Sequence, residues 1–193
     1  LRRTADEIGA VLVFDEVITG IRHGLGGYQA VAGVTPDLTT LAKALANGLP
    51  IGVVGGKREL MEHFNTNPAG NVLYSGTFNG GGGPVAAALT TLEILSEPGA
   101  YEHLTAIGDR LRAGLVDVFA SHDVPVTVTG FGSVFHVLFD GGGPVVSQED
   151  ISRNDVPLYS AYRREMLANG VLDTPETQAM RSYVSLAHTD ADV

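Results

Sequence analysis

Asp15 closes the apolar run Ala10, Val11, Leu12, Val13 and Phe14, and Lys43 follows a similar run at 38–42, just ahead of an Asn-Gly-Leu-Pro turn. A carboxylate or an ammonium buried in such surroundings costs several kcal/mol (roughly) unless it is paired. An acid at the end of a buried strand lies where open α/β sheets bind their ligands. Capping a helix, pairing with an arginine or holding magnesium in a phosphate-binding enzyme would also explain it, although no G-x-x-x-x-G-K-[ST] loop is present. Lys43 has the ordinary alternative of a solvated side chain. Held between an apolar strand and a tight turn, however, an amine can be desolvated, lose basicity and become a nucleophile.

Taken together, the two residues suit pyridoxal phosphate. That cofactor needs an amine for its aldehyde and an anion against its ring nitrogen, which keeps the ring able to draw electrons from a substrate carbon. It also needs donors for its phosphate. The stretch SGTFNGGGG, Ser75 to Gly83, stands before a helix and can offer hydroxyl and backbone N–H groups, or can simply be a flexible glycine loop.

The elements that must position these groups follow from periodicity. The runs 10–15, 38–42 and 51–56 read as short strands covered on both faces, as in a parallel sheet. A glycine-rich loop connects the first two, helical spacing returns at 57–64, and Pro84 opens a helix through Leu89, Leu92 and Leu95. An amphipathic helix after Gly99 carries Leu104, Ile107, Leu111, Leu115, Val118 and Phe119. Beyond it come two strands, a helix ended by Gly170 and a strand around 181–187. The expected organisation is a sheet-and-helix part at 1–98, a connecting helix at 99–123 and a smaller α+β unit at 124–193. Residues 1–9 read as the end of one helix and Thr189 to Asp192 as the start of another, which leads us to expect a piece of a longer protein.

Composition bounds the function. The 193 residues are 44% hydrophobic with a net charge of −10 and scattered Lys and Arg, which argues against nucleic-acid binding. No apolar run approaches the ~18 residues of a membrane span. No cysteine is available for disulfides or thiolate metal sites, in keeping with a cytoplasmic protein, and the six histidines lack metal-ligand spacing. His136 reads as a strand-face residue, and the glycines around it lack the context of a dinucleotide fingerprint.

The segment VLVFDEVITGIRHGLGGYQAVAGVTPDLTTLAKALANGLPIGVVGG resembles the class III pyridoxal-phosphate aminotransferases, and above all their glutamate-1-semialdehyde 2,1-aminomutase branch. GTFNG, NDVPLYSAYRREMLANGV and SLAHTDADV continue the resemblance in order. It implies an α/β fold of the fold-type I class: the second half of a large, mostly parallel-sheet domain plus a C-terminal α+β domain. It implies that Asp15 pairs with the pyridine nitrogen, Val17 packs on the ring, and Lys43 forms the internal aldimine and shuttles the proton. Thr77 and Gly76, with neighbouring backbone, would bind the phosphate, usually that of the adjacent subunit of a homodimer.

The implied reaction is amino-group transfer between small amino and keto substrates. An aminomutase, a racemase and a non-catalytic remnant stand as alternatives. Two departures bear on the choice. Gly81 and Gly82 replace the family's usual residue and proline after G-T-F-N-G, which predicts a looser turn. The aminomutase pattern F-E-A-G-F is replaced by PETQAMRSY, which places Arg181 where many class III aminotransferases hold the substrate carboxylate. Arginine's fork suits that task, and the expectation leans toward an aminotransferase.

Overall fold

The computed structural model describes residues 1–64, 66, 68–172 and 181–193. The chain divides into two compact units, Leu1–Tyr101 and Glu102–Val193. The division falls inside a helix.

The first unit opens with α1 (Arg2–Ile8), closed by Gly9 at φ 68, a left-handed C-cap that favours glycine. A three-stranded sheet follows, in the order β1 (Val13–Glu16), β2 (Leu38–Ala42), β3 (Gly52–Gly56). β1 and β2 are parallel, with Asp15 opposite Thr40, and the crossover between them carries α2 (Gly27–Ala32). β2 and β3 are antiparallel, with Thr40 opposite Val54, and are joined through a 3-10 turn at Lys43–Ala46. After the short α3 (Arg58–Met61), α4 (Gly82–Leu95) packs on that 3-10 turn.

The structure corrects several expectations for this unit. β1 begins at Val13 rather than at residue 10, and the glycine-rich loop contains a helix. The helix expected to open at Pro84 starts two residues earlier, at Gly82. Proline is tolerated there because first-turn N–H groups have no partner within the helix. Val13 in β1 is 50% exposed and Val11, just before it, 52%, whereas every residue of β2 is half-buried. Side chains alternate along β1, so Glu16 faces α2 whereas Val13 and Asp15 share a face left open among the described residues.

The second unit takes up most of α5 (Ala100–Ser121). It adds an antiparallel sheet of β4 (Thr127–Phe131), β5 (Val134–Leu138) and β6 (Ser182–Tyr183), with α6 (Gln148–Ile151) and α7 (Val156–Ala168). The strand expected around 181–187 is thus only two residues long. Ile107, Phe135, Val137, Phe139, Tyr159 and Val184 form the core. The Phe119 and Phe139 rings meet edge to face with centroids 5.5 Å apart. α5 approaches the β4–β5 turn closely at Gly108, where an added Cβ would stand 2.1 Å from the Gly132 carbonyl oxygen.

Candidate active site

β1 and β2 run in the same direction, so their carboxyl ends lie side by side. Asp15 is the penultimate residue of β1, and Lys43 directly follows β2. This is the edge of a parallel pair where α/β sheets gather ligands.

Asp15 is exposed, with one oxygen oriented by its neighbours. Its Oδ1 accepts from the Val17 N–H at 3.1 Å and from the Thr40 hydroxyl at 3.4 Å. Oδ2 accepts no bond among the described residues. Val17 itself is half-buried.

Lys43 is also exposed, and its ammonium makes no ion pair among the described residues. Its backbone is unusual for a side-chain-bearing residue, with φ at 51°. Such a left-handed conformation is costly for a residue with a Cβ, and it persists where the surroundings impose it. Here the anchor lies just downstream: Leu45 and Ala46 are 5% and 0% exposed, in the turn on which α4 packs. Asp15 and Lys43, expected to be buried once a cofactor pairs them, are exposed in this chain by itself. Both stand on the uncovered face and edge of the sheet.

Two other carboxylates of the first unit, among the described residues, are buried instead. Glu16 is 2% exposed. Its Oε2 accepts from the Tyr28 N–H at 2.6 Å and the Thr19 hydroxyl at 3.1 Å, and its Oε1 accepts from the Gln29 N–H at 2.9 Å. It thereby caps the first turn of α2 from a neighbouring strand. His23, nearby, meets Tyr28 edge to face at 5.9 Å; burial, with the Arg22 charge, holds its imidazole below the ordinary value, and Glu16 opposes this.

Asp37 is 5% exposed and accepts from the Leu12 N–H, Arg2 and Lys57 at 2.6, 2.8 and 2.6 Å. The Lys57 ammonium above all, then the Leu12 N–H and Arg2, hold its carboxyl well below the usual range. Sequence reasoning missed both residues as site-builders.

Thr77 and Gly76 are exposed in the turn before α4, where the Asn79 N–H donates to the Gly76 carbonyl at 3.0 Å. The turn expected to be loose at Gly81 and Gly82 instead leads into the helix, with Gly81 as N-cap and no side chain capping it. Beside it lies a groove of about 510 Å³, lined among others by Val53, Val54, Tyr74, Phe78 and Val85. Arg181 belongs to the second unit and is exposed immediately before β6. The segment 175–180, which replaces the aminomutase pattern, lies outside the described residues. Among the described residues, no group of His, Asp or Glu could hold a metal ion, and no helix is long and apolar enough to cross a membrane.

The sequence model of the family described as "Aminotransferase class-III" matches residues 1–192. The chain belongs to the class III aminotransferases. Among relatives of this class III chain, a glutamate-1-semialdehyde 2,1-aminomutase from Brevibacillus brevis is 44% identical over all 193 residues, which cover 44% of that protein. The fold matches the crystal structure of a β-phenylalanine aminotransferase from Variovorax paradoxus with a TM-score of 0.87 at 35% identity, covering 100% of this chain and 43% of that one. It also matches a glutamate-1-semialdehyde aminomutase from Pseudomonas aeruginosa in complex with PMP, with a TM-score of 0.81 at 25% identity, over 99% and 43% of the two chains. The chain thus spans less than half the length of the class III relatives it matches. The α/β fold is that of pyridoxal-phosphate-dependent aminotransferases, a family whose members act on small amino and keto compounds.

Proposed function

We propose that this chain carries the lysine and the ring-nitrogen carboxylate of a pyridoxal-phosphate-dependent aminotransferase. The reading rests on one observation: Asp15 and Lys43 stand at the carboxyl ends of adjacent parallel strands. The donor set fits the cofactor. Asp15 has one oxygen held by Val17 and Thr40 and the other open on the uncovered face, which suits a protonated ring nitrogen. Lys43 offers an amine that no carboxylate among the described residues claims.

When bound, the cofactor supplies an electron sink for a substrate's Cα. Asp15 would hold the proton on the ring nitrogen, which as an anion it could do where a neutral amide could not. Val17 would pack against the ring. Lys43 would bind the cofactor's aldehyde and carry the proton at the substrate's Cα. Thr77 and Gly76, with the uncapped first turn of α4, bind the phosphate of a partner subunit in a homodimer. Arg181 holds the substrate carboxylate. In this reading residues 1–98 belong to the cofactor domain, 99–123 connect, and 124–193 form the small domain of a cytoplasmic enzyme.

A second reading, a glutamate-1-semialdehyde 2,1-aminomutase, is favoured by the 44% identity to one. An amino-donor and keto-acceptor screen of the full-length protein, followed by the cofactor's absorbance, separates the two. Transfer between separate donor and acceptor supports the aminotransferase. Conversion of the semialdehyde alone supports the aminomutase. Silence with every substrate, in a protein that takes up no cofactor, overturns both.

A further inference from the structure

Glu16 is an expensive residue to keep where it is. It is almost fully buried, and the hydrogen bonds it accepts come from neutral donors: Tyr28 N–H, Gln29 N–H and the Thr19 hydroxyl. A buried carboxylate with neutral partners is retained at a cost of several kcal/mol (roughly) relative to an apolar side chain of similar volume. The surroundings are shaped around it. A Cβ on Gly27, whose φ is 68, would come within 2.6 Å of Glu16 Oε2; one on Gly20 would come within 2.8 Å of the Glu16 carbonyl oxygen. That carbonyl accepts from the Gly20 N–H at 3.0 Å. Glu16 thus fixes both ends of the turn 16–20, by side chain through Thr19 and by backbone through Gly20. The Val17 N–H inside that turn is the nearer of the two donors that orient Asp15, the Thr40 hydroxyl being the other. Strand alternation does the rest: with Glu16 locked toward α2, Asp15 must face the open side.

From this linkage we propose that Glu16 is a positioning residue for the cofactor site, which sets the direction of the Asp15 carboxylate through the Val17 turn. It rests on the reading of Asp15 as the partner of the ring nitrogen. Glu16 touches neither cofactor nor substrate, and acts only through the bonds it holds.

The test uses the full-length holoenzyme with Glu16→Gln, Asp15→Asn and the double variant. Glu16→Gln keeps the shape but turns an N–H₂ group toward backbone donors. The readouts are pyridoxal phosphate affinity and the pH at which the bound cofactor's visible absorbance changes. We expect Glu16→Gln to weaken binding about tenfold, as loss of a supporting partner commonly does for a ligating group, and to shift the absorbance transition. It should add nothing in the double variant beyond Asp15→Asn, because both act through one carboxylate. Thr19→Val, which removes one donor, should move both readouts in the same direction, and it decides the matter if Glu16→Gln does not fold. A lowered melting temperature with unchanged affinity and absorbance in these variants would overturn the proposal. So would full additivity with Asp15→Asn. If Asp15→Asn alone changes neither readout, the reading of Asp15 is what fails, and the proposal falls with it.

Discussion

Lys57 Nζ lies 2.6 Å from Asp37 Oδ1, an ion pair that commits one lysine to a buried carboxylate, whereas Lys43 makes no ion pair among the described residues. Pairing raises the basicity of Lys57, chiefly through the Asp37 hydrogen bond. An amine held protonated is a poor nucleophile. Borohydride reduction of the full-length holoenzyme, followed by peptide mapping, should therefore find the pyridoxyl group on Lys43. Label on Lys57 would refute the assignment.

The same Asp37 predicts an acid limb of stability. Its folded pKa is depressed, so its contribution is complete above the unfolded value of about 3.9 and drains away as pH falls toward the folded value. Urea unfolding in a pH series should show a loss of stability below about pH 4. Asp37→Asn should be less stable at neutral pH and should lose much of that slope. An unchanged slope would show that other carboxylates govern it.

Asp15→Asn should leave the fold intact, since the side chain is exposed. Turnover by the full-length enzyme should fall by at least about 10²-fold, or about 2.7 kcal/mol, because an amide cannot keep the ring nitrogen protonated. Single-turnover absorbance kinetics would measure it, and a near-normal rate would remove Asp15 from the chemistry.

Two glycines of α5 separate close packing from helix propensity. At Gly108 an added Cβ meets the Gly132 carbonyl oxygen at 2.1 Å, whereas at Gly114 nothing lies within 4 Å. Gly108→Ala should cost about 1–3 kcal/mol through overpacking. Gly114→Ala should gain about 0.5–1 kcal/mol, the ordinary advantage of alanine in a helix. Paired denaturation curves check both, and equal effects would contradict the packing account.

Arg181→Lys distinguishes a substrate clamp from a surface arginine. Lysine cannot reproduce a bidentate grip on a carboxylate. KM for an amino acid should rise by the equivalent of about 1.5–3 kcal/mol, with little change for an amine that lacks the carboxylate. Equal effects on both substrates would return Arg181 to a surface role.

Much of the sheet edge was legible in the sequence because Asp15 and Lys43 contrast in type with the apolar runs before them. Their burial was not. Apolar strands signal a core, but Val13 and Asp15 face a side that no described element covers. Two buried carboxylates of the first unit, Glu16 and Asp37, escaped notice because their partners leave no local pattern. Glu16 bonds backbone N–H groups of Tyr28 and Gln29, which leave no signature in side-chain pattern. Asp37 draws its partners from Arg2, Leu12 and Lys57, residues too far apart in sequence for spacing to connect. Helix α2 was hidden by the glycines at its start, one of which, Gly27, is required by the Glu16 carboxylate against it.

The left-handed backbone at Lys43 has a consequence for substitutions at that position. At φ 51 alanine sits in much the same unfavourable torsional well as lysine, so exchanging lysine for alanine deletes the amine but keeps the tension. Glycine would relax it, by about 1 kcal/mol. On the proposed reading, the lysine that would carry the cofactor also strains its own backbone, and Lys43→Gly should be more stable to denaturant than Lys43→Ala.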